Sequence, residues 1–185
     1  MKRVLLFLPF VFCLLSLSAV AQRDYLTDDE IELVRDAQQM DNRIHVLTIA
    51  IDRRFAVLGI DVGGEVPKKS EVWGDPPKGT RTELFNDIKK ILQKAADDID
   101  NLAERPDSMI VDEPEKGEKP KKQKGYKEII SAAITKLAAA ATRYKPAVQK
   151  ELGTTKDRLE TGLLTGINDL CDDIIAAPAK LSTLK

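Results

Sequence analysis

Few side chains in this sequence are suited to chemistry. It holds one histidine, His45, and two cysteines, Cys13 and Cys171. A nucleophilic triad or a histidine-based metal site needs further members that the sequence does not supply. His45 also stands beside Ile44 within a helical stripe, where an imidazole reads as a boundary residue rather than a catalyst. Carboxylates are plentiful. Asp97, Asn101 and Glu104 are spaced by four and three, and Asp169 and Asp173 by four, so each set shares one helical face. Carboxylate metal sites in helical bundles use inward-pointing acids, often with Glu-x-x-His, a pairing absent from this sequence. The Asp97 set lies off the apolar stripe, and both sets read as solvated faces. These residues point to no cofactor, no metal and no catalytic set, so the expectation is a protein that is not an enzyme. Trp73 and Cys171 are left as candidate interaction or loop-anchoring residues.

The stretch FAVLGIDVGGE, Phe55 to Glu65, is the one place that suggests phosphate binding. GIDVGG resembles the first phosphate-binding hairpin of the actin-like sugar kinases. That hairpin needs a strand leading in, a tight turn and a strand leading out, whereas Pro67, Lys68 and Lys69 interrupt the second strand. The chain is also too short for the two-lobed ATPase fold. Phe55, Val57 and Leu58 read instead as the last turn of a helix, with Gly59 at the left-handed position that ends it.

The elements around these residues are helical. Thr27 and Glu30 have the spacing of a capping box, with Leu26 and Ile31 placed as a hydrophobic staple. From there Leu33, Ala37, Met40, Ile44, Leu47, Ile51, Phe55 and Leu58 recur in steps of three and four. The pattern predicts one helix of about 31 residues, roughly 45 Å long. Gly59 to Gly79 follows as a long connection, and Trp73 beside Gly74 reads as an anchor pinning it to the core. A second capping box, Thr80 with Glu83, opens a helix striped by Leu84, Ile88, Ile91, Ala95, Ile99 and Leu102. After a polar interval, Ile130, Ala133, Leu137, Ala141 and Tyr144 mark a third helix, rich in alanine. Val148, Leu152, Leu159, Leu163, Ile167, Leu170 and Ile174 continue the pattern to Pro178, with a break either at Pro146 or near Gly153, where Thr154 or Thr155 would cap a new helix. Cys171, next to Leu170, reads as a small buried hydrophobe, the other reading being an intermolecular disulfide or a reactive thiol.

Lys2 and Arg3 precede an apolar run from Val4 to Leu17 that closes on Ser18, Ala19, Val20 and Ala21. This is the pattern of a secretory signal peptide cleaved before Gln22, and the run is shorter than the roughly 20 residues a membrane span needs. Residues 1–21 are thus expected to be removed, with export to the periplasm or the extracellular space. Of 29 basic residues, loss of Lys2 and Arg3 leaves 27 against 30 acidic, a net charge of −3. Such a balance offers no electrostatic footprint for nucleic acid. Cys13 leaves with the signal, so Cys171 has no intrachain partner.

Together these patterns predict an all-α protein, an antiparallel bundle of about four amphipathic helices with the first helix longest. Residues 22–105 form an N-terminal helical pair with a long loop, and 126–178 form the C-terminal helices of the same bundle. Between them, 106–125 reads as a flexible charged linker, its Lys119, Lys121, Lys122 and Lys124 offset by acids just upstream. Residues 179–185 form a tail. The stretches DDEIELVRDAQQMDNRI and VWGDPPKGTRTELFNDIKKIL resemble a group of uncharacterised exported bacterial proteins over roughly the first half of the mature chain. The resemblance implies an exported helical protein and brings no activity with it. The functional expectation is an interaction or scaffolding protein of the bacterial envelope whose partner is a protein, either an envelope component or a second copy in a homodimer. The alternative is a helical protein that binds lipid or a membrane surface, and a carboxylate- or metal-dependent enzyme ranks behind both.

Overall fold

The computed structural model describes residues 23–67, 72–104 and 125–181. Their regular structure is entirely helical: α1 Asp28–Asp36, α2 Met40–Val57, α3 Arg81–Glu104, α4 Tyr126–Thr154 and α5 Arg158–Leu181. The proposed signal segment and nearly all of the proposed linker, with its four lysines, lie outside the described residues.

Both capping boxes form. Glu30 N–H donates to Thr27 Oγ1 at 3.3 Å and Thr27 N–H to Glu30 Oε2 at 3.0 Å, and Thr80 and Glu83 exchange the equivalent bonds at 3.3 and 2.7 Å. Each box satisfies donors that a helix start leaves unpaired. The end of α2 is closed as its glycine suggests. Gly59 has φ +73°, its N–H reaches Ala56 O at 3.0 Å, and Ile60 N–H reaches Phe55 O at 2.9 Å, the two bonds of a Schellman motif.

The long first helix does not exist as one piece. Ala37 leaves helical geometry at ψ 78°, and α1 and α2 are separate helices of 9 and 18 residues. The reason is tertiary. Glu30 of α1 accepts bonds from Arg53 and Arg54 of α2 at 2.7 to 2.9 Å, whereas residues 23 or 24 apart in one straight helix would stand about 35 Å from each other. Folding back at 37–39 lets a buried carboxylate meet two buried guanidiniums, and Arg43 Nε ties the corner by donating to Ala37 O at 3.2 Å. The longest helix is therefore not the first but α4, with 29 residues.

Pro146 does not break the chain either. It lies inside α4 on an exposed face, where water can reach the carbonyl that lacks its amide partner. The break falls at 155–157, and the cap of α5 is Asp157, whose carboxylate accepts Glu160 N–H at 2.8 Å, rather than Thr154 or Thr155. Arg81 at the start of α3 braces this corner, pairing with Glu151 and, at 3.1 Å, with Glu160.

All five helices contribute to one core. α2 and α5 each pack against both α3 and α4, and α4 and α5 contact each other most extensively. Ala133, Ala140 and Ala141 are buried on α4, where small side chains permit close approach. The stripe of α3, and that of α4 from Ile130 to Val148, are buried. On α5 the inward face is Leu164, Ile167, Cys171 and Ile174, while Leu159 is 64% exposed. That face starts one residue later than the apolar spacing suggests because Glu160, not Leu159, turns inward to meet Arg81.

Candidate functional site

A broad concave surface lies toward the C-terminal ends of α3 and α5, against the first turns of α4. It is a groove of about 500 Å³. Ile99, Ile130, Leu137 and Ile174 form its nearly buried floor, and half-buried Ile134 and Leu170 form its walls. It stays open because the positions where larger side chains would fill it are alanines, Ala96, Ala103 and Ala177. Among the described residues its polar groups are Gln93, Asp100 and Asp173, and none of those lining it is basic. Cores close on aliphatic side chains of this kind where they can. An aliphatic concavity left open, with a few polar groups at its margin, is the usual form of a binding site.

The groove is positioned by neighbouring contacts. Tyr126 at the start of α4 donates its hydroxyl to Leu102 O at 2.8 Å and Ala103 O at 3.0 Å. These are carbonyls that the end of α3 leaves unpaired, so one phenol both caps α3 and fixes the spacing between α3 and α4 beside the groove.

Two charged clusters occupy the other end of α3 and the end of α2. In the first, Glu30 is fully buried, with Arg53 and Arg54 almost so. Arg54 also donates to Ala50 O and Tyr25 O, each at 2.7 Å, and its Nε has no hydrogen-bond partner but lies 3.7 Å from Asp87 Oδ2. Arg23 Nη2 pairs with Asp87 at 2.5 Å. Burial raises the Asp87 carboxyl above its ordinary value, against the opposing pull of Arg23 and Arg54. In the second cluster Asp52 accepts Arg143 at 3.3 to 3.4 Å and Glu65 N–H at 3.0 Å. Burial raises Asp52 as well, opposed by Arg143. This carboxylate holds the chain after Gly59 against α2 and α4, with Arg143 adding a bond to Val62 O at 3.1 Å. Glu30, Asp52, Asp87, Arg53 and Arg54 are buried against protein while Arg23 and Arg143 keep partial access to water, an arrangement that braces the fold.

The sequence-derived candidates fall in separate surroundings. Trp73 is half-buried, with the Arg53 guanidinium 5.4 Å from its ring centre, and Arg53 also donates to Asp75 O at 2.6 Å. The indole thus stacks on the buried ion cluster. Cys171 is fully buried on α5, and burial pushes its thiol up to about 12. His45 is largely exposed, 3.8 Å from Glu65. Asp97, Asn101, Glu104, Asp169 and Asp173 are exposed, and no group of acids, cysteines and histidine among the described residues is arranged to hold a metal ion.

In GIDVGG, Gly64 packs so closely on Asp52 that a Cβ there would meet its carboxylate at 2.1 Å. The glycine serves a side chain of the protein itself, and no strand frames it among the described residues. The groove escaped sequence reading because Ala96, Ala103 and Ala177 sit at the edges of apolar stripes, where alanine is uninformative. The buried ion cluster had a visible signal in Arg53-Arg54, a charged pair inside the apolar run IAIDRRFAVL. Nor is any helix among the described residues long and apolar enough to cross a membrane. No family model matches the sequence, and no curated protein or solved structure matches it either.

Proposed function

We propose that this is an exported, non-enzymatic interaction protein of the bacterial envelope, an antiparallel bundle of four long helices to which α1 is an addition. The observation behind this reading is the open aliphatic groove between α3, α4 and α5. Its apolar floor gains free energy by removing a partner's apolar side chains from water, about 25 cal/mol per Å² buried. The buried carboxylates Glu30 and Asp52 lie elsewhere and are tied up by arginines, which fits a structural rather than a chemical use. Export rests on the sequence pattern of residues 1–21.

The test is photo-crosslinking in the native envelope, with a photoreactive residue at Ala103 in the groove and, as control, at Asp36 on the exposed face of α1. A discrete protein adduct formed from position 103 and not from position 36 is the expected result. Equal labelling from both positions would refute the groove as the contact surface. N-terminal sequencing of the recovered protein should read Gln22 first. Retention of Met1 would overturn the export assignment.

A further inference from the structure

We infer that the α3–α4–α5 groove takes a cationic amphipathic helix of a partner protein, an inference that rests on the groove being the interaction surface. Shape supports a helix. The groove follows α3 from Gln93 to Ala103, about 15 Å at 1.5 Å per residue, and α4 from Ile130 to Leu137, about 10 Å. A partner helix placing apolar side chains at i, i+3 or i+4, and i+7 spreads its anchors over about 10 Å. The floor and walls provide aliphatic residues at the same repeat, Ile130, Ile134 and Leu137 on α4 and Leu170 and Ile174 on α5.

Charge selects among such helices. Asp100 and Asp173 line the groove from different helices, α3 and α5, and both are exposed. Further acids lie about one turn along the same helices: Glu104 follows Asp100 by four residues, Asp169 precedes Asp173 by four, and Asp97 accepts a hydrogen bond from the rim residue Gln93 at 2.8 Å. With no basic residue among the described residues that line the groove, lysines flanking a partner's apolar stripe are attracted by the acids of both helices. An acidic peptide, or the anionic headgroup of a lipid, would face repulsion instead.

The probe is a fluorescein-labelled 18-residue peptide of leucine and lysine with leucines at i, i+3, i+4 and i+7, compared with its leucine and glutamate counterpart by anisotropy against the mature protein. The lysine peptide should bind saturably and the glutamate peptide should not. Asp100→Asn with Asp173→Asn should weaken binding about fivefold, as expected for two rim ion pairs. Glu32→Gln with Asp36→Asn, the same change of charge on α1, should leave it unchanged. Ala103→Trp, a substitution at an exposed position, should abolish binding while the circular dichroism and melting temperature stay those of the parent protein.

Binding of neither peptide overturns the inference, as does equal weakening by the two acid-neutralising pairs. Equal affinity for both peptides with loss in Ala103→Trp overturns the charge selection alone and leaves the groove standing. Binding untouched by Ala103→Trp overturns both. Sedimentation with phosphatidylglycerol vesicles that disappears in Ala103→Trp would assign the groove to a lipid surface and likewise overturn it.

Discussion

Replacing Glu30 by glutamine removes one negative charge from the centre of the buried arginine cluster while keeping the side chain's shape. The carboxylate is 0% exposed and accepts three guanidinium bonds at 2.7, 2.9 and 2.7 Å and a fourth, from Thr27 N–H, at 3.0 Å. Glutamine retains one carbonyl acceptor and turns an amide donor toward two guanidiniums that have little access to water. Breaking a buried ion pair from one side costs about 3–5 kcal/mol, a large part of the roughly 5–15 kcal/mol that stabilises a typical domain. For a chain of this size that loss lowers the melting temperature by about 10 °C, and at a urea m-value of roughly 2 kcal/mol/M it moves the midpoint by about 2 M. Urea unfolding followed by circular dichroism reads this directly. Thr27→Ala is the control: it removes the Thr27 side of the capping box, worth about 1 kcal/mol, and leaves the arginines paired. If Glu30→Gln cost no more than Thr27→Ala, the burial argument would be refuted. Replacing Glu30 by leucine together with Arg53 and Arg54 by methionine should recover most of the loss, because no charge is then left unpaired in the interior.

Gly64→Ala should destabilise by about 1–3 kcal/mol, as overpacking does, since its Cβ would fall 2.1 Å from an Asp52 carboxylate that Arg143 and Glu65 N–H hold in place. Urea unfolding measures it, and a neutral result would mean that the chain after Gly59 is free to shift. Cys171, buried and with its thiol pushed up to about 12, should not react with a thiol reagent at pH 8 until the protein unfolds. Stoichiometric labelling of the native protein within minutes would contradict its burial. The pH dependence follows from Asp87, raised in the folded state above its ordinary 3.8. The folded protein then holds this proton more tightly than the unfolded chain, so the contribution of Asp87 to stability grows as pH falls through the window just above 3.8 and is lost as pH rises through it. Subtracting the unfolding free energies of Asp87→Asn from those of the parent between pH 3 and 7 should show that slope, and a difference rising with pH would disprove the sign.

Local chemistry was readable in the residues. Thr27 with Glu30, Thr80 with Glu83 and Gly59 after Leu58 specify caps through bonds that span only a few positions, so no distant element is needed to place them. The helical class and the buried stripes of α3 and α4 followed from spacing, because a period of three and four already defines which face meets the core. What the sequence could not decide was where those helices stop and what their polar residues meet. The stripe from Leu33 to Leu58 fits a continuous helix equally well, and only the pairing of Glu30 with Arg53 and Arg54 makes folding back at 37–39 the stable arrangement. Pro146 is a breaker by its own chemistry, yet on the exposed side of a packed helix its missing bond is tolerated. Leu159 and Glu160 exchange their expected places because Arg81, some 80 residues earlier, draws the carboxylate inward. The groove is likewise a tertiary property: alanines on α3 and α5, set against the first turns of α4, leave a space that exists only when those three helices come together.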